Sequence, residues 1–175
     1  QYDYIAVIHF NGGITDTSRR EAGYRCAESL MASEHYVKNV IQVFEENKRL
    51  GMLTIPNMYW GQYWSYYGKE SQNYRQELKT FADLLHIPFM TNKGPISPYY
   101  GVFWCRGKAV QDVIQRCGGA ELELLTTISN KGIYQFVDCV WGLLLQVAGY
   151  YCGYVMCDRL AELEYTNLAY QLAEV

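Results

Sequence analysis

His9 and Asn11 stand with Gly12 and Gly13 at the end of a short apolar run, Tyr4 to Ile8. An imidazole that donates when protonated, a side-chain amide and two glycines with accessible backbone N–H groups are donors that can meet an anion. A second group lies at Tyr59-Trp60-Gly61-Gln62-Tyr63-Trp64-Ser65-Tyr66-Tyr67-Gly68, six aromatics in ten residues. It fits neither a helical nor a strand period, so it reads as a loop or irregular helix walling a cleft. Trp60 and Trp64 offer rings on which a sugar can stack without any charge.

The elements that must position these groups follow from the patterning. Tyr4 to Ile8 is β-branched and aromatic and apolar on both faces, which predicts a strand inside a sheet covered by helices. In open α/β sheets ligands bind where the carboxyl ends of strands meet their loops, and His9 and Asn11 follow such an end. A helix is expected from about Arg19 to Met31, and another begins after Ser33 as N-cap with Glu34 in its first turn. Tyr36, Val37, Val40, Ile41 and Phe44 form its apolar stripe, with Gly51 as its stop. Met52 to Ile55 reads as a strand ended by Pro56, and Glu70 to Leu85 as a helix with Tyr74, Leu78, Phe81, Leu84 and Leu85 inward. Gly101 to Arg106 is the next strand, followed by a helix from Lys108 to Gln115. Ile133 to Val147 is helical with Gly149 as its stop, Tyr150 to Cys157 is a strand, and Asp158 caps a last helix whose expected core is Leu160, Leu163, Leu168 and Leu172. Strands alternating with helices define an α/β domain, here a single one over residues 1–175.

Fifteen basic against eighteen acidic residues give a net charge of −3, which leaves no basic footprint and argues against nucleic acid as a partner. Seventeen tyrosines and four tryptophans suit surfaces that hold sugars, peptides or bases, or a core and its rim. The six cysteines form no Cys-x-x-Cys pair, and with three histidines they make a zinc site improbable; buried, reduced thiols and a cytoplasmic setting are expected. The apolar run Val137 to Tyr151 contains Asp138 and Gln146 and falls short of a membrane span.

Several segments, taken in order, resemble the rhamnan synthesis F family: His35-Tyr36-Val37 through Phe44-Glu45-Glu46-Asn47, Leu50-Gly51-Met52-Leu53, the Trp104/Arg106 strand, Ala148-Gly149-Tyr150-Tyr151 and Thr166-Asn167-Leu168. Members are glycosyltransferases or glycosyltransferase-like proteins of bacterial surface-polysaccharide synthesis. The resemblance implies a GT-A-like, Rossmann-like sheet flanked by helices, either whole or as the C-terminal part of a full GT-A domain. It implies a nucleotide-sugar donor, of which dTDP-rhamnose is one, and a glycan acceptor. It also implies a place in the cytoplasm or at the inner face of the plasma membrane, beside a membrane-bound polysaccharide assembly complex.

The opening strand then lies where such folds carry an Asp-x-Asp metal and diphosphate motif. Mg²⁺ or Mn²⁺ is the implied cofactor, although no metal ligand can be named in this chain. Negative charge builds on a departing sugar diphosphate and must be met by a metal, by cations or by oriented N–H groups. The resemblance assigns that role to His9, Asn11, Gly12 and Arg106, with His9 also counted as catalytic. The family usually shows a Lys at this turn, and here Phe10, Asn11 and Gly12 follow His9. Pro98-Tyr99-Tyr100-Gly101-Val102-Phe103-Trp104-Cys105-Arg106 resembles the Gly-x-x-Phe-Trp-x-Arg signature and gives Tyr100, Gly101 and Trp104 to the acceptor side, with packing as the other use of Trp104. By alternation, Phe103 and Cys105 share one face and Val102, Trp104 and Arg106 the other. Aligned on Gln146, the family's His and Glu-Arg positions fall at Gln135, Asp138 and Cys139, which leaves Asp138 as candidate general base. The alternative is a catalytically degenerate or truncated domain that binds glycan or protein.

Overall fold

β2 (Leu50–Thr54) is buried at every residue, and the other elements are laid around it. The structure is a computed structural model that describes residues 2–8, 17–56, 75–88, 96–98, 101–116, 123 and 133–173. Along the chain, β1 (Tyr4–Val7) leads to α1 (Thr17–Met31), α2 (Glu34–Glu46) and β2. Then come α3 (Arg75–Leu84), β3 (Phe103–Arg106), α4 (Gly107–Arg116), α5 (Ile133–Val147), β4 (Tyr151–Tyr154) and α6 (Asp158–Ala173). The described strands form one mixed sheet in the order β1-β3-β2-β4. β3 runs antiparallel to both β1 and β2, while β2 and β4 are parallel.

The sheet has a distinct core on each face, as β3 alternation requires. Met52, Phe103 and Cys105 meet Leu78, Phe81 and Ala82 of α3, Ala109 and Val113 of α4, and Val140 and Leu143 to Leu145 of α5. On the opposite face Leu50, Leu53, Val102 and Trp104 meet Cys26 and Leu30 of α1 and Val40 and Phe44 of α2. The molecule is therefore α/β, with a mixed sheet between two helical layers.

Several expectations are corrected. β1 is an edge strand, with Ile5 37% exposed, because the interior places belong to β3 and β2. Ser33 does cap α2, its Oγ accepting the Tyr36 N–H at 3.1 Å, but Gly51 does not end that helix. The helix closes at Glu46 with Asn47 as C-cap, and Gly51 lies inside β2. A Cβ on Gly51 would meet the Tyr150 Cβ at 2.8 Å, so close packing rather than helix termination requires glycine there. Gly149 is the stop expected of it: its φ is +91°, its N–H reaches Gln146 O, and Tyr150 N–H reaches Leu145 O, the paired bonds of a Schellman ending. β4 is shorter than Tyr150 to Cys157, and β3 passes into α4 without a loop. Leu84 and Leu163, expected inside, are 40% and 52% exposed. Tyr74 and the segment Tyr59 to Gly68 lie outside the described residues.

Candidate functional site

The register fixes which loops can meet. Val7 pairs with Phe103, Phe103 with Thr54, and Thr54 with Tyr154. The carboxyl ends of β1, β2 and β4 and the start of β3 therefore lie along one edge of the sheet. His9, Asn11 and Gly12 follow β1, Trp60 and Trp64 follow β2, and Tyr100 precedes β3; all six lie outside the described residues. What the structure does describe is the frame on which those segments begin and end.

Thr54 holds that frame together. It is fully buried, its Oγ1 donates to the Val102 carbonyl at 3.0 Å, and its own carbonyl accepts the Val155 N–H at 2.8 Å. The hydroxyl binds β2 to the residue before β3, and the carbonyl binds it to the residue after β4. Gly101, the next residue back, is buried with φ +65°, a left-handed conformation that glycine adopts without strain. A threonine at the end of an otherwise apolar strand, just before Ile55-Pro56, was the available sequence signal for this clasp.

α5 brings Asp138 to the same edge. The helix ends at Val147 and turns through Gly149 into β4, so it runs antiparallel to β4 and starts near the strand carboxyl ends. Leu145 lies over Gly51, near the start of β2, whereas the Trp141 ring packs on Phe103 with centroids 5.7 Å apart, at the level of Thr54. Asp138 is one further turn along, about 4.5 Å beyond Trp141 at the usual helical rise. It is half-buried and engaged in an interaction of its own.

Two residues expected at the site are held elsewhere. Arg106 lies at the opposite end of β3. Its Nε donates to Leu50 O at 3.1 Å and its Nη2 to Asn47 O at 3.0 Å and to Phe44 O, while its guanidinium lies 5.5 Å from the Tyr4 ring centroid and 5.6 Å from that of Phe44. It closes the C-terminus of α2 at the end of β3 opposite the Thr54 edge, where backbone carbonyls rather than a phosphate take its donors. Trp104 is 8% exposed, sits in the α1/α2 core and donates its indole N–H to Leu30 O at 3.0 Å. Packing rather than an acceptor wall is its use.

Mg²⁺ and Mn²⁺ take oxygen ligands, carboxylates above all. Among the described residues no three His, Cys, Asp or Glu side chains converge. The described residues offer such an ion no three-ligand set. Cys26, Cys105 and Cys157 are buried, and these three and Cys152 are free thiols. Burial pushes the Cys105 thiol up to about 11 and the Cys26 and Cys152 thiols up to about 12, which makes them poor nucleophiles. No described helix is long and apolar enough to cross a membrane. Comparison with protein-family models, with curated proteins and with solved structures gives no match.

Proposed function

We propose that the chain is a glycosyltransferase module of the rhamnan synthesis F type, GT-A-like in fold, that works in bacterial cell-wall, capsular or O-antigen polysaccharide synthesis. One observation carries the reading: the register Val7–Phe103–Thr54–Tyr154 and the direction of α5 put the carboxyl ends of β1, β2 and β4, Gly101 and Asp138 along a single edge. Strand carboxyl ends are where α/β sheets hold nucleotides. The N-terminus of α5 faces the same way, and its partial positive charge favours a diphosphate.

In this reading the donor diphosphate lies against Asn11, the Gly12 backbone and protonated His9, and Asp138 accepts the proton of the acceptor hydroxyl. The acceptor oxygen forms the new glycosidic bond as the bond to the nucleoside diphosphate breaks, and the diphosphate leaves with the electron pair. Orientation of the two substrates supplies much of the acceleration. The setting is the cytoplasm or the inner face of the plasma membrane, beside a membrane-bound assembly complex.

Calorimetric titration with UDP, dTDP and GDP, each with and without Mg²⁺ or Mn²⁺, tests the proposal. One nucleotide is expected to bind saturably. Asp138→Asn should keep that affinity while lowering transfer by roughly 10²- to 10⁴-fold, the usual contribution of a general base. A second reading, a glycan-binding domain without catalysis, is favoured by Arg106, whose guanidinium is engaged far from this edge. Retention on immobilised glycan with no nucleotide bound would decide for it.

A further inference from the structure

We infer that Asp138 and Trp141 together form a monosaccharide subsite for one pyranose ring of the glycan, an assignment resting on the sugar-binding reading common to both proposals. Trp141 was not singled out by the sequence, yet it is the described indole that reaches the strand carboxyl edge while remaining only half-buried. Its ring packs on Phe103 with centroids 5.7 Å apart and an interplanar angle of 52°, and the residue is half-buried, so it keeps some accessible surface. Helical side chains point back toward the N-terminus of their helix, so the Trp141 indole covers the turn that carries Asp138. Residues three apart on a helix are surface neighbours, with Cβ atoms about 5–6 Å apart.

A half-open indole beside a carboxylate is a matched pair for a pyranose. The C–H face of the ring packs on the aromatic plane, and two adjacent hydroxyls donate to carboxylate oxygens. An ionised carboxylate has about four acceptor positions, enough to serve an existing partner and sugar hydroxyls together. Phe103 beneath braces the indole. The recognised chemistry is a neutral sugar with vicinal hydroxyls on one edge and an apolar C–H face.

The test is ¹⁹F NMR of the protein labelled with 5-fluorotryptophan, titrated with methyl α-L-rhamnopyranoside and methyl α-D-mannopyranoside. The chain has four tryptophans, and the resonance missing from Trp141→Phe is that of Trp141. A saturable shift of that resonance is expected for at least one glycoside. Asp138→Asn should weaken it by about tenfold, the loss of one charge-assisted hydrogen bond, while Trp141→Phe retains part of the affinity measured calorimetrically. Movement of another tryptophan with Trp141 unchanged would overturn the subsite and leave sugar binding intact. No shift with either glycoside would also overturn it, and nucleotide titration would then decide the parent reading by itself.

Discussion

The two ends of the sheet are built on different plans. At the end where β2 and β4 begin, helices finish, and their exposed carbonyls are met by arginines. Arg106 binds the carbonyls of Phe44, Asn47 and Leu50 after α2, Arg49 donates to Gly149 O at 3.1 Å, and Arg116 donates to Val147 O at 2.7 Å after α5. Cations at helix C-termini satisfy orphan carbonyls and oppose the dipole. Tyr4 donates to Glu45, and Tyr151 donates to Asn47 Oδ1 at 3.2 Å, which ties both edge strands into the same closure. At the other end the Thr54 hydroxyl ties β2 to Val102, and Asp138 and Trp141 stand nearby. One end is closed by side chains on helix carbonyls, and the other is the end at which we propose that a ligand binds.

The strongest way to break this division is Arg106→Ala. It removes a fork of donors from carbonyls that nothing else described reaches from β3, and leaves two aromatic rings without their cation. A loss of about 3 kcal/mol is expected, read as a lowered urea midpoint with unchanged slope. Lys in its place should recover little, since a point charge cannot reach three carbonyls at once. Sugar or nucleotide affinity measured well below the transition should be unaltered. An Arg106→Ala protein of normal stability that fails to bind would put the site at the wrong end.

Next in size is Gly51→Ala, also at the closed end. The new Cβ falls 2.8 Å from Tyr150 Cβ and 3.1 Å from Leu145 Cδ2, where the Schellman turn presses on β2. Overpacking of this kind costs roughly 2 kcal/mol. The expected signature is a lowered thermal midpoint with the Trp141 fluorine resonance in place. A shifted Trp141 resonance would show that strain travels along α5 and that the ends are coupled.

The same division explains what could be read from the chain. Ser33 with Glu34, and Gly149 after an apolar helix, are local signals whose partners lie within four residues, and the structure agrees with both. Alternation along β3 sorted Phe103 and Cys105 from Val102, Trp104 and Arg106 because a strand has only two faces. What lies across from each face is set by distant chain. Arg106 was legible as a cation on the Trp104 side, but its partners come from the end of α2, some 60 residues earlier, and a helix terminus has no sequence mark on the strand it meets. A short apolar run looks the same at an edge and in the middle of a sheet, so the edge position of β1 has no mark in its sequence. Thr54 matters through Val102, which only the register brings beside it, and Trp141 through the strand edge to which the direction of its helix carries it.

The smallest effect expected is alkaline, and it too falls on one end. Cys105 and Cys152 both pair with Met52, forming a row across three strands in the half of the sheet that Arg106 closes. Burial raises these two thiols, and Cys26 on the other face, to about 11 or 12. The raised groups stay protonated in the folded chain while the unfolded chain releases their protons near its ordinary thiol value. The unfolded state therefore binds fewer protons as pH rises, and stability, unaffected below that value, declines as pH passes through it toward 11 or 12. Between pH 8 and 9 the three thiols together should lower the unfolding free energy by about 1 kcal/mol. Urea midpoints at pH 7, 8 and 9 measure it. Cys105→Ala with Cys152→Ala lowers stability at every pH through lost packing but should flatten the alkaline decline to the part left by Cys26. An equally steep decline in that double variant would place the titrating groups elsewhere, with the Tyr4 and Tyr36 hydroxyls, both raised chiefly by burial, the next to replace.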